Sequence, residues 1–417
     1  MKIMYRRCAG LDIHQKSIAV CIRIVKGHCR EPELHTAIFG TFSEDLERLR
    51  GWLRDHKVKQ VAMESTGVYW IPIWNVLERK PTRFELMLLN PQHVRALPGC
   101  KTDMQDCERI AELLQYGLVR ASFVPPVPIR ELRDLTRARV HVQQDRNRVI
   151  NRIHRLLESA NIKLASVLSN IVGSTGRAIL DGLAMEGLVR PEALAMLATH
   201  KRLKGKREEF RQALRCERSE HFRFLLSQLL GELDWLDAKL ALLERHIGER
   251  MRPYEDLLGR LCRIPGVQIL TAWAIIAEIG TDMTRFADAA HLASWAGLCP
   301  GNAESAGKRH SGRTRKGNSY LRRALCQSAW AASRKHDSFL SAVFLRVARR
   351  SGLKKAAIAL AHRLLIIIFS MLRDGTEYQE LGGDYFDRMH PERTAQRLIR
   401  RLDRLGFDII ANPRPAT

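Results

Sequence analysis

The stretch that decides the fold is Ala9-Gly10-Leu11-Asp12-Ile13, then the polar residues His14 to Lys16, then Ser17-Ile18-Ala19-Val20-Cys21-Ile22-Arg23-Ile24-Val25. Ile18, Val20, Ile22 and Ile24 recur at every second position, the period of a strand packed on a core, so the segment reads as a hairpin turning at His14 to Lys16. Working outward, Thr36 to Phe42 reads as a third strand. Ser43 follows as an N-cap, with Leu46, Leu49 and Leu53 at helical spacing. Gln60 to Met63 forms a short buried strand ending at Glu64, Ile71 to Arg79 a helix, and Phe84 to Leu89 another strand, stopped by Asn90-Pro91.

Three strands, helix, strand, helix, strand, helix is the order of a ribonuclease H-like domain, a mixed sheet flanked by helices. The expected class is therefore α/β over residues 1–123, followed by an all-α remainder. Val124-Pro125-Pro126-Val127-Pro128 cannot be helix interior, because proline removes a donor and fixes φ, so it marks a boundary. Beyond it Leu135, Val142, Val149 and Leu156 are spaced by seven. Leu226, Leu229, Leu233, Leu236, Leu240, Leu243 and Ile247 fill an a/d seam, and residues 124–258 are predicted as long helices packed as a coiled coil, within the chain or between two chains. Small helices are expected between about Ser169 and Arg207. Ile264-Pro265-Gly266-Val267 lies between two apolar helical stretches and reads as a helical hairpin. Its turn amides at Gly266 can approach a phosphate, although a plain turn would look the same. Gly297 to Gly317 reads as a loop, helices resume at Tyr320, and this third region spans 259–375. Residues 376–417 form an appended amphipathic tail.

At 417 residues and roughly 150 per domain, two or three domains are expected. With 45% hydrophobic and 27% charged residues the chain is neither disordered nor collagen-like. Ala356 to Leu372 is the longest apolar candidate for a membrane span, and His362 and Arg363 interrupt it, so no membrane association is expected. Nine cysteines without a CxxC pair indicate neither a disulfide framework nor structural zinc, and point to a reducing, cytoplasmic compartment. The 69 Lys and Arg against 45 Asp and Glu leave a net charge of +24, which calls for a polyanionic partner. Between Pro300 and Arg373 there are 16 basic residues against Glu304 and Asp337, and one-sided runs of this kind usually contact phosphates.

Asp12 interrupts an apolar strand, where a carboxylate is costly to bury without a cation or donors. In the expected sheet the strand ending at Glu64 lies beside it. Asp103 and Asp106 in Lys101-Thr102-Asp103-Met104-Gln105-Asp106 would share one face of a helix capped by Thr102. Each acid alone has a bland explanation, as a turn former or as a first-turn residue complementing the helix dipole. Together four carboxylates can hold two Mg²⁺, an arrangement suited to in-line phosphoryl transfer.

These residues resemble a known family. Gly-Leu-Asp12, Met-Glu64-Ser-Thr-Gly and the 101–106 motif are similar to the acidic positions of the DEDD transposases of insertion-sequence family 110, relatives of the Piv-type invertases. Ile264-Pro265-Gly266 to Gly280, Phe286, Leu292 to Pro300, Glu304-Ser305-Ala306-Gly307-Lys308 and Thr314-Arg315-Lys316-Gly317-Asn318 through Leu321-Arg322-Arg323 resemble the family's C-terminal transposase domain. The resemblance spans about 8–160 and 255–335. Cys107, where the family usually has Ala, and Gln268, where Gly is common, depart from it. It implies a RuvC-like acidic domain binding Mg²⁺, with catalytic residues Asp12, Glu64, Asp103 and Asp106. It also implies a serine, Ser305, that attacks DNA to form a phosphoserine link, with Ser311 as the runner-up. Gly266, Lys308, Arg309, Arg313, Arg315, Lys316, Arg322 and Arg323 are the expected nucleic-acid contacts. A guide non-coding RNA, donor and target DNA, and a homo-oligomer, dimer or tetramer, working across copies are further implications.

Two other functions stay open on the residues alone. One is a hydrolytic junction-resolving nuclease with water as nucleophile and a structural Ser305; the other is a non-enzymatic nucleic-acid organiser.

Overall fold

The computed structural model describes residues 2–26, 31–64, 67–81, 84–90, 103–185, 191–196, 205–215, 219–301, 303–305, 308–311, 314 and 316–408. The chain divides into two units, Met1–Val124 and Pro125–Thr417.

The first unit is built on a mixed six-stranded sheet. Strand β1 (Arg7–Ile13) turns through the His14 amide, which donates to the Ser17 carbonyl at 2.9 Å, into β2 (Ser17–Ile24). Strand β3 (Glu33–Gly40) starts three residues earlier than Thr36 because Glu33 still pairs with Ile24. Helix α1 (Ser43–Asp55) is capped by the extended Phe42 backbone without a side-chain bond, so Ser43 is its first helical residue rather than its cap. Then come β4 (Gln60–Glu64), α2 (Trp70–Leu77), β5 (Glu85–Leu89), α3 (Asp103–Gln115) and the short β6 (Ala121–Ser122). The sheet order is β3-β2-β1-β4-β5-β6, with β1, β4 and β5 parallel.

Both faces of β1 are covered, which explains its nearly unbroken burial. Ala9, Leu11 and Ile13 pack with Val61 and Met63 into the core under α1 and α2. Cys8, Ala62, Ile110 and Leu114 cluster on the opposite face, as do Ala19, Cys21, Cys107 and Ala111, both clusters under α3. By strand alternation Asp12 and Glu64 belong to that second face.

The second unit is helical. Helix α4 (Val127–Ser159) starts inside the proline run, with Pro128 in the first turn where its missing N–H costs nothing. After α5 (Leu164–Val167), α6 (Ser174–Ala184), α7 (Pro191–Met196) and α8 (Arg207–Ala213) comes α9 (Glu220–Met251). Helices α4 and α9 pack antiparallel within the chain: Arg139 pairs with Glu244 at 2.6 Å, Arg146 with Asp237, Arg152 with Glu232 at 3.0 Å, and Glu131 with Arg250. The buried stripe differs from the strict heptad. Ile153 and Leu157 are buried while Leu135 and Leu156 are half-exposed, and Leu230 is buried while Leu229 and Leu243 are half-exposed, since 3.6 residues per turn drift against a period of seven.

Helices α10 (Glu255–Cys262) and α11 (Ile269–Ile279) flank the Gly266 turn. Helix α12 (Ala289–Trp295) precedes strands β7 (Ala303–Ser305) and β8 (Lys308–Ser311), an antiparallel ribbon where the glycine-rich sequence read as plain loop. Helices α13 (Ser319–Ala332), α14 (Phe339–Ser351) and α15 (Leu353–Asp374) follow, then α16 (Tyr385–Met389) and α17 (Pro391–Asp403). Helix α15 is long and apolar enough to cross a membrane by length and composition alone, and half of its apolar stretch is buried within the unit. It packs on α12, α13 and α14.

Candidate active site

Asp12 is the penultimate residue of β1 and Glu64 the last of β4, two neighbouring parallel strands whose last recorded register pair is Leu11 with Met63. Both carboxylates are therefore one residue beyond that pair and on one face, and they are 6% and 8% exposed. Helix α3 brings further acids to the same end. Its last residue, Gln115, accepts from the Met4 and Tyr5 amides near the start of β1, so α3 runs antiparallel to β1 and its first turn lies toward Asp12. Gly10 permits this approach: a Cβ there would stand 2.3 Å from the Ala111 nitrogen and 2.4 Å from the Cys107 carbonyl oxygen. Burial first, and then the neighbouring charges of Cys21, Glu108 and Asp12, push the Cys107 thiol up to about 12.

Asp106 is half-buried in that first turn. The backbone of Asp103 opens α3, but its side chain lies outside the described residues, as do Lys101 and the expected cap Thr102. His14, which the sequence reading treated as a turn residue, places Nε2 3.1 Å from Asp12 Oδ2. The signal was its position two after Asp12, the spacing of one strand face. Among the described residues no group of three or more His, Cys, Asp or Glu side chains gathers closely enough to hold a metal ion. The donor chemistry nevertheless fits a hard divalent cation: two nearly closed carboxylates on adjacent strands repel unless a cation or donors offset their charge.

In the second unit Ser305 is the last residue of β7 and pairs with Lys308 of β8. The side chains of Ser305, Lys308, Arg309 and Ser311, and all of Arg313 and Arg315, lie outside the described residues. Lys316 and Arg323 are exposed and Arg322 is half-buried. Gly266 has φ of +85° and a Cβ there would meet the Ser328 carbonyl oxygen at 2.3 Å. Close packing of the turn on α13 thus accounts for this glycine without a phosphate.

The ribbon leads into an unforeseen network. Asn318 caps α13 through the Tyr320 and Leu321 amides at 3.1 and 3.0 Å, and its amide donates to Glu278 Oε2 at 2.6 Å. Glu278, 1% exposed on α11, also accepts from Arg137 at 2.7 and 2.8 Å and lies 3.3 Å from Arg133. Burial pushes the Arg133 guanidinium down to about 10, opposed by the Glu278 charge, so it stays protonated at neutral pH. Arg137 also stacks 4.6 Å from the Tyr320 ring centroid. A lone acid in an apolar helix, with two arginines one turn apart elsewhere, was the available signal.

Residues 9–162 match the DEDD transposase model of insertion sequence IS110, and residues 258–343 match the model described as Transposase IS116/IS110/IS902 family. Two separate segments, in order and together more than half of the chain, fit one kind of protein. The chain belongs to the IS110 transposase family.

It is 36% identical over 146 residues to an insertion element IS110 uncharacterized 43.6 kDa protein of Streptomyces coelicolor, 34% of each chain. It is 25% identical over 340 residues to a probable family 20 transposase of Pseudomonas aeruginosa, 80% of this chain and 89% of that one. An insertion element IS900 uncharacterized 42 kDa protein of Mycobacterium paratuberculosis is 30% identical over 158 residues, 37% of this chain and 39% of that one. The chain thus spans about a third of the length of the first of these relatives. Asp12, Glu64, Asp103 and Asp106 fall within the first matched segment of this IS110-family chain, and Ser305 within the second.

Proposed function

We propose that the chain is a DNA transposase that cuts and rejoins DNA by phosphoryl transfer, with a ribonuclease H-like (RuvC-like) acidic domain and a serine nucleophile. The observation that carries this reading is the pair of buried carboxylates, Asp12 and Glu64, on adjacent parallel strand ends beside the first turn of α3. Asp12, Glu64, Asp103 and Asp106 would hold Mg²⁺, which when bound supplies charge stabilisation to the reacting phosphate. His14 orients Asp12 through the contact between Nε2 and Oδ2.

Ser305 attacks a DNA phosphorus: its Oγ–P bond forms, the bond to a sugar oxygen breaks, the hydroxyl proton leaves to a base, and the freed sugar oxygen takes up a proton. The reverse attack by a sugar hydroxyl of a second DNA end rejoins the strands. Lys308, Arg309, Arg313, Arg315, Lys316, Arg322 and Arg323 contribute positive charge that favours binding of the DNA backbone. A guide non-coding RNA selects the sites, and a homo-oligomer, dimer or tetramer, brings two DNA ends together.

The test is strand cleavage and rejoining on element-end DNA with Mg²⁺ and the element's transcribed RNA. Alanine at Asp12 or Glu64 should abolish both while the circular dichroism spectrum is kept. Retained activity in either variant sinks the metal assignment. Nicked products that arise without any protein–DNA adduct would favour hydrolysis by water.

A further inference from the structure

Residues beyond 343 lie outside both family matches, and together with Asp337, Ser338, Ser341 and Ala342 they line a groove of about 580 Å³ between α14 and the helices α16 and α17. The segment leading to α16 is anchored firmly. The Phe339 amide donates to Glu380 Oε1 at 2.7 Å, the Ser338 hydroxyl to Glu380 Oε2 at 3.0 Å, and the Gly383 amide to Asp337 Oδ1 at 3.2 Å. The Phe339 ring packs on Tyr385 and Phe386 with centroids 4.9 and 5.9 Å apart.

The groove walls are basic from both sides. Arg346 and Arg349 stand one turn apart on α14, and Arg393 and Arg397 one turn apart on α17. Residues at these spacings lie on one face of a helix with Cβ atoms about 5–6 Å apart. The two acids in the lining are already engaged: Asp337 by the Gly383 amide, and Asp387 by Arg397 at 3.3 Å and the Thr394 hydroxyl at 3.2 Å. Arg346 lies 4.6 Å from the Phe386 ring centroid, which fixes its guanidinium along the wall. Arg349 and Arg393 are exposed and have no acidic partner among the described residues. Arg349 on α14 and Arg393 on α17 thus offer planar, fork-shaped donors to phosphate oxygens from the two walls, with Arg346 and Arg397 adding positive charge beside them.

We propose that this groove binds the phosphodiester backbone of a nucleic acid, as a contact separate from the ribbon around Ser305. The proposal rests on the reading that the chain acts on nucleic acid, and it is independent of the strand-transfer chemistry. Duplex DNA and structured RNA share the chemistry recognised, and separate arms of the experiment distinguish them.

The test uses the full chain carrying Asp12→Ala, so that binding is read without turnover. Fluorescence anisotropy measures affinity for a duplex DNA and for a duplex RNA of equal length over a series of salt concentrations. Arg349→Ala with Arg393→Ala should weaken binding to one or both probes roughly tenfold or more at 0.1 M salt, and reduce the slope of log affinity against log salt by about two. The same-charge control, Arg245→Ala with Arg252→Ala, should change neither by as much, and Arg349→Lys with Arg393→Lys should keep the slope. The probe that loses more affinity identifies the occupant. If the groove variant matches the control on both probes, the groove proposal is overturned. If the Asp12→Ala chain with its arginines intact binds neither probe, it is the reading of a nucleic-acid enzyme that fails.

Discussion

Replacing Gly10 by Ala tests how closely the acidic helix is pressed on the sheet. The new Cβ would stand 2.3 Å from the Ala111 nitrogen and 2.4 Å from the Cys107 oxygen, where ordinary contact begins at 3.4 Å. Both are backbone atoms, so no side chain can rotate away and α3 must retreat by about 1 Å. Overpacking of this kind costs about 1–3 kcal/mol. For a unit of this size that corresponds to a fall in melting temperature of roughly 4–12 °C. The retreat also moves the first turn of α3, with Asp106, relative to Asp12 and Glu64, and a 1 Å misplacement of catalytic groups costs about a hundredfold in rate. Differential scanning calorimetry and strand cleavage on element-end DNA read the two effects on one preparation. Gly51→Ala in α1, where nothing lies within 4 Å of the added Cβ, should be neutral or stabilising and keep full activity. A Gly10→Ala protein with unchanged melting temperature and full cleavage would refute the reasoning.

Glu278→Ala leaves the half-buried Arg133 and Arg137 without their carboxylate; removing one partner of a fully buried ion pair costs about 3–5 kcal/mol, and water reaching these arginines lowers the loss to about 1.5–3 kcal/mol. Urea unfolding of the second unit should show that loss, and a midpoint equal to wild type would rule it out. Asp234 follows a different variable. The hydrogen bond from Arg177 holds its carboxyl below the ordinary value. Its contribution is therefore present above the unfolded-state pKa and lost as pH falls through that value toward the folded one. Urea midpoints for wild type and Asp234→Asn should differ at pH 7, and the gap should narrow as pH falls below the ordinary aspartate range; a constant gap would contradict the assignment. Mixing Asp12→Ala chains with Ser305→Ala chains should restore part of the strand cleavage if serine and acids act across copies, and restoration absent at every ratio would place both in one copy.

The sheet was largely legible because its signals are local. A two-residue alternation, a carboxylate at each of two strand ends and the order of the elements led to Asp12 and Glu64 as neighbours, which the β1–β4 register bears out. What escaped the sequence depends on contacts between distant residues. Gly10 looks like any strand glycine until α3 lies across it. Glu278 looks like a stray charge until Arg133, Arg137 and Asn318 converge on it. The ribbon at β7 and β8 was hidden by five glycines, whose permissive backbones weaken any strand pattern. Heptad spacing correctly marked two long helices, while the buried stripe followed the antiparallel partner rather than the repeat.

The central claim is that Ser305 and the acids led by Asp12 and Glu64 perform one phosphoryl transfer. It is tested most directly by incubating the full chain with Mg²⁺, the element's RNA and labelled element-end DNA, and resolving the products on a denaturing gel. The account predicts a protein–DNA adduct that survives denaturation, disappears in Ser305→Ala, and disappears equally in Asp12→Ala. An adduct that persists in Ser305→Ala, or one that forms unchanged without the Asp12 carboxylate, would contradict it.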